Sequence, residues 1–312
     1  MTPKSKRVLV TGGSGFIGTH LCAGLRTRGW EPVVLDPVAP NGGDCEFHQG
    51  DMSTLIGPKA FLLEDVGAVI HLAWTTKPGS ATDAPLHDVE TNLAAGIRML
   101  DIIVKLPRPP RVIFASSGGA VYGATTSTLI DEDHPTAPLS AYGVGKLAFE
   151  NYLRLYGHLH GLDYLVFRPS NPYGEFQNPL GSQGAVAVFL GKIARGHDIA
   201  VWGDGSVVRD YLYVGDLADA FERALEYRPG DDEPRVFNVG SGLGMNIREL
   251  VAALSEIAAR PARIVYSAGR MTDAPRVVLN IDRIRRHLGW QPSTSMDVGL
   301  RRTWEWVRAR VQ

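Results

Sequence analysis

The run Val8-Leu9-Val10-Thr11-Gly12-Gly13-Ser14-Gly15-Phe16-Ile17-Gly18 confines this chain to a narrow set of folds. An apolar stretch short enough for a buried strand passes through Gly12, Gly15 and Gly18 into an amphipathic segment, Phe16 to Leu25. Gly12 permits a tight strand-to-helix turn, Gly15 lets the backbone approach a pyrophosphate, and Gly18 lets the helix pack closely on the sheet. The free N–H groups and positive end of that helix then face the diphosphate. With 35 glycines in 312 residues, spaced sets arise by chance, so the flanks must decide. A second apolar run, Pro32 to Leu35, ends in Asp36 at the separation where an acid accepts hydrogen bonds from adenosine ribose hydroxyls. A carboxylate there repels a 2′-phosphate, which favours NAD over NADP. The alternative is a solvated aspartate closing a strand before Pro37. The order strand, glycine turn, helix, strand, acid supports the cofactor reading.

The chain can bury a substantial core as one large or two ordinary domains. A net charge of −1 leaves no electrostatic footprint for nucleic acid or an anionic membrane. Lys4, Lys6 and Arg7 are followed by too short an apolar run for a signal peptide, and no stretch reaches a membrane span. Cys22 and Cys45 offer neither metal spacing nor a disulfide framework, and Cys22 reads as a small core residue. The nine histidines contain no HExxH. The expectation is a soluble cytoplasmic protein without a structural metal.

Strands alternate with helical patterns through the first half, which signals an α/β fold with a doubly wound parallel sheet. Strands are expected at 46–51, 68–73 and 111–115, a long helix at 83–105, and a Gly/Ser/Thr/Pro-rich loop at 116–139. A helix at 141–160 and a strand at 163–168 follow. Ligands bind beyond the carboxyl ends of such strands, so Asp36, Asp51, Ala73 and Ser116 should converge on one crevice. Shorter elements then mark a smaller α/β lobe. The expected division is a Rossmann domain at 1–170 and a substrate-binding lobe at 171–312, with strands 199–202 and 236–240 returning to the first sheet.

Tyr142-Gly143-Val144-Gly145-Lys146 opens the helix that follows the loop. Positions i and i+4 share a helix face, so the lysine ammonium can sit beneath the tyrosine ring. A free phenol, pKa about 10, is a poor base at neutral pH. A nearby fixed positive charge and a pyridinium both favour phenolate and move it toward efficient proton transfer. A surface tyrosine beside a solvated lysine would show the same spacing. Placement at the mouth of the expected crevice favours the catalytic reading.

With TGGSGFIG, Asp36, His71-Leu72-Ala73, Ser116-Ser117…Tyr122-Gly123 and Tyr142-xxx-Lys146, the chain resembles the extended short-chain dehydrogenase/reductase family. RPSNPYG at Arg168 to Gly174 and VVRDYLYV at Val207 to Val214 narrow this to the nucleotide-sugar epimerases and dehydratases, most like the UDP-galactose (UDP-glucose) 4-epimerase group. The resemblance implies a phosphate loop of Gly12, Gly15, Phe16, Ile17 and Gly18, with Asp36 on the ribose. It sets Asp51 and Met52 about the adenine, and Leu72, Ala73, Thr75 and Ser116 along the dinucleotide path. Asn92 is similar to an asparagine that braces the sheet. Tyr142 would be the base, Lys146 would bind the nicotinamide ribose, and Pro169 would lie by the nicotinamide amide. Asn171, Arg209 and Arg270 resemble the diphosphate ligands, where arginine forks suit the two phosphates. Ala200 and Trp202 resemble the strand edge that holds uracil. The helices 83–105 and 141–160 are similar to the pair through which family members dimerise. Phe149, Tyr152, Leu153 and Tyr156 supply either that stripe or core.

Dehydratases of this family carry an Asp-Glu pair, and decarboxylases a Glu, in the loop before Tyr122. Ser116 to Val121 holds no acid. Asp36 suits NADPH-dependent ketosugar reductases poorly. The resemblance therefore implies NAD-dependent 4-epimerisation of a UDP-sugar through a transient 4-ketose, in a homodimer. The alternatives are another nucleotide-sugar epimerase, a 4-ketosugar reductase, or a catalytically silent NAD-binding regulatory protein. The family's catalytic Ser/Thr falls on Gly118, which leaves Ser117, Ser116 or a water to replace it. Val277, aligned through Asp273, falls where a bulky tyrosine can exclude N-acetylated sugars. A small residue there would admit UDP-N-acetylhexosamine, or a uronic acid if Arg276 reaches the sugar.

Overall fold

A computed structural model describes residues 5–42, 45–268 and 274–311. β1 (Arg7–Thr11) is apolar on both pleat faces, and Val8, Leu9 and Val10 are all fully buried, as a parallel strand covered on both sides requires. There follow α1 (Phe16–Thr27), β2 (Glu31–Asp36), β3 (Glu46–Gln49), α2 (Met52–Leu55), β4 (Ala68–His71), α3 (Pro78–Asp83) and α4 (Pro85–Asp88). A π-helical turn (Val89–Ala94), α5 (Ala95–Ile103), β5 (Arg111–Ala115), α6 (Ala141–His160) and β6 (Tyr164–Pro169) complete the first half. The second half holds β7 (Asn171–Tyr173), α7 (Ala185–Ala194), β8 (Ile199–Trp202), β9 (Val208–Tyr213), α8 (Val214–Ala224) and β10 (Val236–Val239). It ends with β11 (Gly244–Asn246), α9 (Ile247–Ala258), β12 (Ile264–Ser267), β13 (Arg276–Val277), α10 (Asp282–Leu288) and α11 (Met296–Arg308).

A seven-stranded sheet runs in the order β3-β2-β1-β4-β5-β6-β10. β1 to β6 pair in parallel. The bonds Val166 N–H to Arg235 O and Ser170 N–H to Val239 O advance together, so β10 is parallel too. The strand order reverses at β1, which pairs β2 on one side and β4 on the other. That is the switch point where such sheets bind ligands, and Gly12 follows immediately.

Residues 1–122, 135–168 and 218–237 form one compact unit; residues 123–134, 169–217 and 238–312 form another. The expected return of residues 199–202 to the large sheet does not occur. β8 instead pairs with β12 in a two-stranded sheet. Its buried Ile199 and Val201 alternate with exposed Ala200 and Trp202, the pattern of a strand with one wet face. Residues 236–239 do join the large sheet as β10.

In the first unit, Leu9, Val69, Val112 and Phe114 of the strands pack with Met99, Phe149 and Leu153 of the helices. α5 and α6 meet closely at Gly96, where a Cβ would lie 2.6 Å from the Phe149 ring. The single helix expected over 83–105 is divided. Pro85 starts a new helix at its first position, where its missing N–H costs nothing, and a π turn interrupts the helix around Asn92. α6 keeps its expected bounds because its ends are specified locally. The Ser140 hydroxyl accepts from Gly143 N–H at 3.1 Å, and Gly161 takes the left-handed conformation (φ 66°) past the last turn.

In the second unit, β7, β9, β11 and β13 form a four-stranded sheet, and α7 packs against α9 and α11. Asp210, fully buried on β9, accepts from the N–H groups of Ser241, Gly242 and Leu279 and from the Ser241 hydroxyl. Asp216 accepts likewise from Ser293 and Thr294. Among the described residues, no helix is long and apolar enough to cross a membrane. Nor does any group of three or more His, Cys, Asp or Glu stand ready to hold a metal there.

Candidate active site

The glycine turn forms a cradle at the open N-terminus of α1. Gly12 has φ 75°, and a Cβ on it would lie 3.0 Å from the Ala73 amide nitrogen. A Cβ on Gly18 would come within 2.5 Å of Gly12 O and Gly13 Cα. Gly15 is the N-cap of α1, with no side chain capping the helix and no acid in its first turn. The first N–H groups of α1 are thus left for an anion. At the end of β2, the Asp36 carboxylate accepts from Ser14 N–H at 3.1 Å and Val38 N–H at 3.0 Å. These bonds orient it beside the turn. A bare helix end, an unobstructed glycine turn and an adjacent acid fit a dinucleotide with a free 2′-hydroxyl.

The loop after β4 forms the other wall of the switch point. Buried Asn92 accepts from Thr75 N–H at 2.8 Å and donates to Asp88 at 3.0 Å. Asp88, also buried, accepts in addition from Trp74 Nε1 at 3.1 Å and from the Thr76 hydroxyl. Asn92 therefore fastens residues 74–76, beside half-buried Leu72 and Ala73. Asp51 is an exposed N-cap of α2 in a reciprocal capping box with Thr54. Ser53 and Thr54 hold its carboxyl below the usual range. Met52 packs into the core of the first unit.

Tyr142 projects from the first turn of α6 and is half-buried. Its phenol is hydrogen-bonded by the Ser117 hydroxyl, and its ring meets Trp74 edge-on at 6.3 Å. Lys146, one turn on, is buried with its ammonium donating to Ala115 O at 2.7 Å. Its Nζ lies 4.1 Å from the Trp74 ring centre, 4.7 Å from that of Phe114 and 5.6 Å from that of Tyr142. Burial pushes Tyr142 up to about 12; Ser117 pulls it down and Asp88 adds a smaller upward push. Burial brings Lys146 down to about 7, against Asp88 and Glu150. Burial thus opposes the charged form of both groups.

Ser116 is occupied elsewhere. Its hydroxyl donates to Glu150, and its N–H to Phe167 O at 2.7 Å. Glu150, buried on α6, is gripped by Arg168, whose Nε lies 3.1 Å from both carboxylate oxygens and whose Nη2 lies 2.6 Å from Oε2. Arg168 Nη1 reaches the Tyr122 hydroxyl at 2.9 Å. Both ends of the loop segment 116–122 are therefore tied to one buried ion pair, and Ser117 is presented from between them. Sequence reasoning missed Glu150, Asp88 and Trp74. Glu150 lies at i+4 from Lys146, on the same helix face, which was the signal available.

The residues expected beside the nicotinamide amide and the substrate, Pro169 onward, belong to the second unit. Pro169 is buried at the end of β6. Asn171 Nδ2 donates to Asp210 O at 3.0 Å, and Arg209 Nη1 to Val208 O at 2.9 Å and Ala274 O at 2.8 Å. Ala200 and Trp202 share the exposed face of β8. Val277 is buried on β13, and Arg276 Nε donates to Thr128 O at 3.1 Å. Arg270 and Asp273 lie outside the described residues.

Residues 8–240 match the profile of the NAD dependent epimerase/dehydratase family. The chain belongs to that family. A UDP-glucose 4-epimerase of Mycolicibacterium smegmatis is 35% identical over 98% of this chain and 100% of its own length. The UDP-glucose 4-epimerase of Thermotoga maritima, solved with UDP-glucose, superposes with TM-score 0.90 at 33% identity, covering 98% of this chain and 100% of that one. A UDP-N-acetylglucosamine 4-epimerase of Methanobrevibacter ruminantium, solved with UDP-N-acetylmuramic acid, gives TM-score 0.89 at 26% identity over 99% and 100%. The glycine cradle and Asp36 suit the cofactor by which this epimerase/dehydratase family is named, NAD.

Proposed function

We propose that this chain is an NAD-dependent UDP-sugar 4-epimerase. The observation that carries the reading is the Ser117–Tyr142 hydrogen bond, made from a loop without a carboxylate. A hydroxyl on a phenol suits removal and return of a sugar hydroxyl proton. Elimination of water would need an acid and a base that residues 116–121 lack. NAD, held by the glycine turn and Asp36, would supply the acceptor and donor for the carbon 4 hydride. Tyr142, as phenolate, takes the 4-hydroxyl proton and later returns it, with Ser117 holding the phenol oxygen in place. The Lys146 ammonium, one turn from Tyr142, favours the ionised phenol by its charge. Asn171, Arg209 and Arg270 bind the diphosphate, and Ala200 and Trp202 the uracil. The small Val277 suits a site that admits an N-acetylated sugar as well as UDP-glucose. The Arg276 to Thr128 bond argues against a uronate.

The homodimer belongs to the same reading. Phe149, Leu153 and Tyr156 are core, whereas Val144, Leu155 and Leu159 of α6 are exposed, as are Leu86 on α4 and Val89 on the π turn. Sedimentation of Leu155→Glu should give a monomer if this face pairs.

The test incubates purified protein separately with UDP-glucose, UDP-N-acetylglucosamine and UDP-glucuronate. Interconversion of at least the first with its 4-epimer is expected, without net NADH. Tyr142→Phe should still bind NAD and lose roughly 10²–10⁴-fold in kcat. Normal turnover by that variant would remove the assigned base, and bound NAD with no conversion of any sugar would favour a regulatory protein.

A further inference from the structure

Trp74 takes no part in the chemistry proposed above, yet it stands against both members of the reacting pair. The Lys146 ammonium lies 4.1 Å from the centre of its ring, against 4.7 Å for Phe114, and the Tyr142 ring meets its edge at 6.3 Å. Its Nε1–H donates to Oδ1 of the buried Asp88 at 3.1 Å. Asn92 Nδ2, at 3.0 Å, and the Thr76 hydroxyl donate to the same oxygen. The other oxygen, Oδ2, lies against α6. A Cβ on Gly145 would come 2.7 Å from Oδ2 and 3.2 Å from Trp74 Cζ2. Glycine is a poor helix residue, and here it lets the carboxylate and the indole approach α6 between Tyr142 and Lys146.

We propose that Trp74 is a positioning residue for the epimerisation, its ring face fixed by Asp88 and holding the Lys146 ammonium beside Tyr142. The proposal rests on the reading of Tyr142 and Lys146 as the reacting pair. Lys146 is buried, and burial works against an ammonium. Around it stand Tyr142 and Glu150 on α6, Ala115 O on β5, His71 on β4, Asp88 on α4, and the rings of Trp74 and Phe114. His71 is driven down to about 3 by burial and stays neutral at working pH. Of the two carboxylates, Glu150 is matched by Arg168 at 2.6 Å. Asp88 is held, among the described residues, by neutral donors, so its charge is left to act on the lysine. An indole face is the best aromatic partner for a cation, and it counts for most where water is excluded. A carboxylate accepting the indole N–H strengthens the negative face further. Trp74 thus carries the influence of Asp88 to the ammonium and fixes where that charge sits.

The experiment titrates Lys146 by NMR in lysine-labelled protein saturated with NAD, its signal assigned by loss in Lys146→Arg, and records kcat and KM against pH beside it. Trp74→Leu should titrate lower than wild type by about one pH unit or more. The alkaline limb of its kcat profile should move down with the lysine, with KM little changed. Trp74→Phe, which keeps a ring face without the N–H, should recover part of that shift. Asp88→Asn, whose Oδ1 can keep all three donors, should also titrate lower, because only the charge is removed. A Lys146 titration unmoved in Trp74→Leu, or moved equally in the Leu and Phe variants, would reduce Trp74 to packing and overturn the proposal. Should Trp74→Leu fail to fold, an unmoved titration in Asp88→Asn overturns it in the same way. The titration is read without turnover, so a shifted lysine in a protein that converts no sugar would count against the epimerase reading and not against the hold of Trp74 on Lys146.

Discussion

At the residue scale, the site turns on a phenol whose ionisation is opposed by burial. Among the described residues, the Ser117 hydroxyl is the group that acts downward on the Tyr142 pKa. Removing it leaves burial and Asp88 unopposed, so the phenol's pKa rises further. Ser117→Ala should therefore move the basic rise of the kcat profile to higher pH and lower kcat at neutrality by about tenfold or more, with KM little changed. An unmoved pH profile would show that Ser117 only shapes the loop. The shared helix face of Tyr142 and Lys146 was legible in the sequence because positions i and i+4 coincide on a helix. Ser117 was named as one of three ways to fill the gap left at Gly118. Its neighbour Ser116 could not be told apart from it until the structure showed Ser116 spent on Glu150.

At the element scale, α6 does three things at once: it carries Tyr142 on its first turn, sets Phe149 in the core and holds Glu150 against Arg168. A buried ion pair is weak evidence for stability in itself, but breaking one costs about 3–5 kcal/mol because a charge is left without a partner. Glu150→Gln should lower the melting temperature by several degrees and loosen the 116–122 loop. Activity should fall further than stability explains at temperatures where the variant is folded. A variant as stable as wild type would mean that water reaches Arg168. α6 and β1 were readable because cap residues and unbroken apolar runs are local signals. The break before α5 and the pairing of β8 with β12 were not, because a π turn and a choice of sheet edge are settled by tertiary contacts.

At the scale of the whole molecule, acid sensitivity has a nameable source. Burial, helped by Lys146, drives His71 down to about 3 from an ordinary 6.5. Its ring is stacked on Phe114, and Nδ1 lies 2.7 Å from the Thr11 hydroxyl. The unfolded chain binds this proton at a pH where the folded chain does not. The contribution is therefore intact above 6.5 and is lost progressively as pH falls from 6.5 toward 3. Glu222, raised to about 7 by burial, acts in the opposite sense, losing its contribution as pH rises from 4.5 through 7. Melting temperatures of His71→Gln between pH 3 and 7 should show a shallower acid decline than wild type, and an equal slope would assign that decline to other groups. The parallel sheet and its switch point were legible from the alternation of strands and helices. The division into units was less so, since the chain passes back to the first unit at residues 218–237, and no composition shift marks that return. The central claim is transient oxidation at carbon 4 with the same hydride given back. The most direct measurement follows a UDP-glucose deuterated at carbon 4 through turnover by mass spectrometry and NMR. The expected result is a 4-epimer that keeps the deuterium on carbon 4, and an epimer that has exchanged it for solvent hydrogen would contradict the account.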